Sequence, residues 1–179
     1  MEKIASWERL PDGIELFLDI LPVVYDESII LISSLIKNIR PEIVLSFGVA
    51  ARRTDVCLER VALNLKDTNQ PDNDGMQPDG ELIFQDAPLA YFTNLPLLQL
   101  QEQLRNCGIP TSISNHAGAY ICNTVFYTAA HEITSSGASS LFGFIHIPLI
   151  TEKTSEKLPI TISGLESAVF SALEWFSRK

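Results

Sequence analysis

Residues 114–123 read Ser-Asn-His-Ala-Gly-Ala-Tyr-Ile-Cys-Asn and set a thiol, Cys122, where an apolar strand pattern gives way to a helical one. A cysteine at such a junction lies near unpaired backbone N–H groups and the positive end of the helix dipole, both of which favour its thiolate. Downstream, Gly143-Phe-Ile-His146-Ile-Pro148 puts a histidine near the end of a second apolar run, and upstream Val56-Cys-Leu-Glu59-Arg-Val-Ala-Leu-Asn64 puts a carboxylate inside a third. Nucleophile, base and orienting acid are the three roles that acyl transfer by a thiol requires.

Those residues must be carried by elements that converge. Apolar runs alternate with helix-like stretches along the chain, which predicts an α/β fold: a parallel or mixed sheet with helices on both faces. The pattern predicts strands over 14–21, 43–49, 56–65, 111–115 and 140–147, and helices over 27–39, 97–106, 122–135 and 160–176. In an open α/β sheet, ligands gather beyond the carboxyl ends of strands, which is where His146 falls. The stretch 66–81, rich in Asp, Asn, Gly and Pro, reads as a long turn excursion within one domain.

Composition narrows the class. With 179 residues, 46% apolar and 20% charged, the chain suits one soluble domain spanning residues 1–179. A net charge of −9 argues against nonspecific attraction to nucleic acid or an anionic membrane. The opening Met1-Glu-Lys-Ile-Ala-Ser-Trp-Glu lacks the apolar core of a secretory signal, so a cytoplasmic location is expected. Cys57, Cys107 and Cys122 are odd in number and lack metal-ligand spacing, which fits free thiols in a reducing compartment. His116, His131 and His146 form no H-x-x-x-H pattern, and neither a metal nor a cofactor is expected.

Read from the residues alone, each candidate also has a structural reading. Cys122 suits a buried packing thiol, His146 a core histidine with a satisfied ring, and Glu59 a strand carboxylate paired with the adjacent Arg60. His116, six residues before the thiol, competes for the role of base, whereas His131 lies within a helical stretch. Tyr91 and Phe92 have no basic stripe beside them and read as packing residues.

The segments Leu21-Pro-Val-Val-Tyr, Glu59-Arg-Val-Ala-Leu-Asn, Pro71-Asp-Asn-Asp-Gly, Ala90-Tyr-Phe-Thr-Asn-Leu-Pro, Gly108-Ile-Pro, Ala117-Gly-Ala-Tyr-Ile-Cys-Asn and Gly143-Phe-Ile-His-Ile-Pro occur in that order. Together they resemble the pyroglutamyl peptidase I family, cysteine peptidases that remove N-terminal pyroglutamate from peptides. The resemblance implies a three-layer α/β/α sandwich of the phosphorylase/hydrolase-like kind, with a mixed, mostly parallel sheet. It implies Cys122 as nucleophile, His146 as base and Glu59 as the third catalytic member, with no cofactor. The implied partner is a peptide with an N-terminal pyroglutamate, and a homo-oligomer is compatible with it.

Two departures bear on substrate recognition. Family members carry a first strand and an aromatic loop that this chain, reading Ser6-Trp7-Glu8 there, is expected to lack. Val49 stands where the family has a glutamine, Asn69-Gln70 precede Pro71 where bacterial members have an arginine, and Arg53 matches a family arginine. Val49, Arg53 and Asn69 are therefore the candidate substrate-binding residues. The same departures leave two rival functions: a binding or assembly protein on a retained scaffold, and an amidohydrolase for another small cyclic amide.

Overall fold

A computed structural model describes residues 10–149 and 161–177. In chain order its elements are α1 (Tyr25–Ile39), β1 (Ile43–Val49), β2 (Val56–Leu63), β3 (Ala90–Phe92), α2 (Leu97–Asn106), β4 (Thr111–His116), α3 (Ile121–Ser135), β5 (Leu141–Ile147) and α4 (Ile162–Ser177). The strands form one sheet in the spatial order β1-β5-β2-β3, with β4 also on β2. The β1–β5 and β2–β4 pairs are parallel, whereas β2 runs antiparallel to both β5 and β3. The two parallel ladders are the longer ones, so the sheet is mixed and mostly parallel by length.

β2 is the hub. β4 pairs it from Val56 to Val61, and its other edge is shared by β5, at Cys57 and Leu58, and by β3, from Val61 to Leu63. Its first four residues are all buried, which fits an apolar strand covered on both faces. One face packs on α1 and α3 through Tyr25, Ile32, Val125, Phe126, Phe142 and Phe144. The other packs on α2 and α4 through Leu58, Leu100, Leu104, Ile145 and Ala172. The result is the expected three-layer sandwich.

Local sequence explains the helices that border the site. α1 buries Tyr25, Ser28, Ile32 and Ile36, spaced three and four apart, with Asp26 and Glu27 in its first turn and Lys37 in its last. It stops at Arg40, whose φ is 51°, because the following Pro41 disfavours the right-handed helical region for the residue before it. α3 has no internal Gly or Pro and is buried over most of its length, at Ile121, from Asn123 to Ala130 and at Ile133. Gly137, at φ 71°, supplies the left-handed residue that lets the chain turn away towards β5.

Three expectations need amendment. Residues 14–21 form no strand: Phe17 and Ile20 are 56% and 71% exposed, and no strand among the described residues pairs with the segment. Alternating apolar residues make a strand only when a neighbouring edge accepts their backbone groups. β3 is a strand that periodicity does not reveal, since it is only three residues long. The strand expected over 56–65 ends at Leu63. The excursion 66–81 is ordered by a Lys66–Glu81 bridge and by Asp72, whose carboxylate accepts the backbone N–H groups of Tyr25, Asp74 and Met76. The expectations at Ser6-Trp7-Glu8 and for a helix start at residue 160 lie outside the described residues.

Candidate active site

One row of residues runs across the sheet. Gly48 of β1 is in register with His146 of β5, His146 with Cys57 of β2, and Cys57 with Ser112 of β4. His146 points to the face that carries α3, beside the ring of Phe144, whose centroid lies 4.9 Å from its own. The first turn of α3 lowers Cys122 onto the same row: a Cβ placed on Gly48 would come within 2.9 Å of Cys122 Sγ and 2.8 Å of Phe144 Cζ. Only a glycine there lets the thiol reach the sheet.

His146 is 6% exposed and hydrogen-bonds two groups. Its Nδ1–H donates to Glu59 Oε1 over 2.7 Å. The second partner is Cys122. With Nδ1 committed to the carboxylate, the ring nitrogen left for sulfur is Nε2. Burial on its own disfavours the imidazolium, but the hydrogen bonds and negative charges of Cys122 and Glu59 overcome it and push the His146 pKa up to about 9. The His146 ring is therefore protonated across neutral pH.

Glu59 is fully buried, and its Oε2 has no hydrogen-bond partner among the described residues. A buried carboxylate is costly unless countered. Two cations lie at Oε1: His146, when protonated, and the Arg53 guanidinium, whose Nη2 is 3.6 Å away. The Arg53 nitrogens are also held by Cys57 Sγ, 3.1 Å from Nη1, and by Ser114 Oγ, 3.2 Å from Nη2.

The start of α3 is braced from behind. Asn123, fully buried, accepts the Leu63 N–H at its side-chain oxygen and donates from its amide nitrogen to the carbonyls of Leu63 and Leu65. Asp67 N–H donates to the Ala119 carbonyl, and the Tyr120 hydroxyl donates to the Pro71 carbonyl, which ties the 66–81 excursion to the turn just before the thiol. Tyr120 is the residue at the helix cap and offers no side-chain cap, and the first N–H groups of an α-helix have no intrahelical acceptor. They are available to an oxyanion.

The structure thus brings Glu59, Cys122 and His146 together and places the other candidates as follows. Arg53 is turned towards Glu59, Val49 is exposed at the end of β1 beside Gly48, and Asn69 is exposed on the excursion. Arg60 pairs with Asn115 rather than with Glu59. His116 accepts the Gly118 N–H at the end of β4, and His131 bonds the Tyr91 hydroxyl inside an aromatic cluster with Phe84 and Tyr127. Sequence reasoning assigned no part to Gly48, Phe144 or Ser114. For Gly48 a signal existed, since an isolated glycine in an apolar strand marks close approach by another group.

Comparison with known proteins gives one answer. The family model described as pyroglutamyl peptidase matches residues 10–172. The chain is similar to the pyrrolidone-carboxylate peptidase of Thermococcus onnurineus, 42% identical over 170 residues that cover 92% of this chain and 84% of the relative. It is 37% identical to that of Thermosipho africanus over 165 residues, 90% of this chain and 80% of the relative. Among solved structures, the pyrrolidone carboxyl peptidase from Thermococcus litoralis superposes with a TM-score of 0.85 at 32% identity, covering 99% of this chain and 87% of that one.

Proposed function

The chain belongs to the pyroglutamyl peptidase family, and we propose that its cysteine-peptidase chemistry runs on Cys122, His146 and Glu59. The observation that supports this best is the continuous line from a fully buried carboxylate through a charged imidazole to a half-buried thiol at a helix start. The reaction is hydrolysis of the amide between an N-terminal pyroglutamyl residue and the next amino acid. Cys122 sulfur attacks the pyroglutamyl carbonyl carbon, and N–H groups at the start of α3 receive the developing oxyanion. His146 passes its Nε2 proton to the leaving nitrogen as the C–N bond breaks, which leaves a thioester. The neutral ring then takes a proton from water, whose oxygen displaces the sulfur and releases pyroglutamate. Glu59 fixes the ring orientation and stabilises each imidazolium.

Val49, beside the thiol row, and Asn69, on the excursion tied to Ala119 and Tyr120, are the proposed lactam contacts. The preferred partner is a peptide, since the net charge of −9 disfavours nucleic acid and anionic lipid. No described helix is long and apolar enough to cross a membrane. A nucleophile that must stay reduced fits the cytoplasm, and a homo-oligomer is compatible with this reading.

The test uses pyroglutamyl, alanyl and free-lactam chromogenic substrates with wild type and Cys122→Ser. Turnover of the pyroglutamyl substrate, lost by at least about a thousandfold in the serine variant with an unchanged circular dichroism spectrum, is expected. Equal rates in the two proteins would remove Cys122 from the mechanism, and a preference for the free lactam would point to an amidohydrolase.

A further inference from the structure

We infer that Arg53 is a positioning residue that keeps Glu59 an anionic hydrogen-bond acceptor through the catalytic cycle. The inference rests on the proposed roles of Cys122, His146 and Glu59. Arg53 leaves the turn after β1 and reaches the Glu59 oxygen that also accepts from His146, with Nη2 3.6 Å from Oε1. It does not hydrogen-bond that oxygen. Its N–H groups are spent instead on neutral partners that flank Glu59: Cys57, two residues earlier on β2, and Ser114, the residue paired with Glu59 on β4. The fork is fixed by its neighbours while its charge is directed at the carboxylate.

That placement matters at one moment in the reaction. While His146 is an imidazolium it balances Glu59, but once its proton has gone to the leaving amine the ring is neutral. A fully buried carboxylate then has no cation on the histidine side. Around it stand Arg53 at the β1–β2 turn, Cys57 on β2, Ser114 on β4 and His146 on β5, with Cys122 beyond the ring and Asp55 against Cys57. Among these, Arg53 is the cation that does not change state during catalysis. It opposes transfer of the Nδ1 proton to Glu59, so the ring regains its Nε2 proton in the right tautomer for the second half of the cycle.

The test compares wild type, Arg53→Gln and Arg53→Lys in two assays: kcat and KM on a pyroglutamyl fluorogenic substrate, and the pH profile of Cys122 alkylation by iodoacetamide, which needs no lactam recognition. Arg53→Gln is expected to lower kcat about tenfold, part of the roughly hundredfold or more that a positioned acid–base contributes, with KM within about twofold. The acidic limb of alkylation moves to higher pH by about half a unit as the favourable charge is lost. Arg53→Lys, which keeps the charge and loses the fork, keeps kcat within a few-fold and the alkylation profile in place. A raised KM with unchanged kcat would make Arg53 a substrate contact and overturn the inference, as would a lysine variant as impaired as the glutamine one with an unshifted profile. Should Arg53→Gln fail to fold, Arg53→Lys decides alone: a tenfold loss of kcat refutes the role of charge. If wild type does not cleave the substrate, the proposed function falls, while the alkylation profiles still report on Arg53.

Discussion

His146 faces Cys57, not Glu59, across the β2–β5 ladder, so its 2.7 Å hydrogen bond to Glu59 runs along the diagonal of the sheet. Diagonal neighbours in an antiparallel pair sit about 7–8 Å apart at the backbone, a span that suits a long carboxylate. Glu59→Asp, shorter by one methylene, should therefore fail to hold the ring. We expect kcat to fall by about tenfold or more with a melting temperature close to wild type, measured on a pyroglutamyl substrate. Wild-type kcat in the aspartate variant would show that the diagonal contact does not orient the base.

The raised pKa of His146, about 9 against an ordinary 6.5, fixes the sign of two pH effects. Because the folded protein holds this proton more tightly than the unfolded chain, the contribution to stability is complete below about pH 6.5. It declines as pH rises and is gone above about 9. Thermal melts across that range should show a falling midpoint, flattened in Cys122→Ser, which removes one of the groups holding the proton. Activity should fall on the alkaline side near the same pH, since the leaving amine needs the imidazolium; an alkaline limb near pH 7 would contradict the coupling.

Thiol chemistry separates the three cysteines. Cys57 is fully buried and burial pushes its thiol up, while exposed Cys107 sits at the C-terminal end of α2, where the helix dipole disfavours a thiolate. Brief iodoacetamide treatment at mildly acidic pH, followed by mass mapping, should label Cys122 first. Labelling of Cys107 ahead of Cys122 would show that His146 does not activate the thiol.

Gly48→Ala tests the close approach of helix and sheet. The new methyl would sit 2.9 Å from Cys122 Sγ and 2.8 Å from Phe144 Cζ, so one of them must move. Overpacking of this kind costs about 1–3 kcal/mol in stability. Displacement of the sulfur should cost a further hundredfold in kcat/KM, by analogy with small misplacements of reacting atoms, on the order of 1 Å. A variant with full activity would mean that the thiol has room to spare.

The trio that the structure brings together, Glu59, His146 and Cys122, was legible because each member stands at a recognisable place: a carboxylate in an apolar strand, a histidine at a strand end and a thiol at a strand-to-helix junction. What held them together was not. The Arg53 ion pair, the Ser114 anchor and the Gly48 gap depend on the register of four strands, which no local pattern specifies. Periodicity erred at 14–21 for a related reason, since Ile14, Leu16 and Leu18 alternate with less apolar neighbours only in part and no described strand edge receives them. Ala90–Phe92 was missed because three residues carry too little pattern, although they complete the edge of β2 beyond β5.

The antiparallel pairing of β2 with β5 consists of two rungs, and it joins residues 87 positions apart at the Glu59–His146 contact. Closing so long a loop costs entropy that few local contacts offset at that point, so such pairings tend to form late as a chain folds. On the proposed roles, a newly made chain is expected to carry Cys122 without its histidine partner, and the sulfur to become reactive only when β2 and β5 meet. Pulse alkylation during refolding should show fast labelling of Cys122 emerging with the final kinetic phase. That outcome would time activation of the thiol to completion of the fold and spare the nascent chain the oxidation and cross-linking that an early thiolate invites.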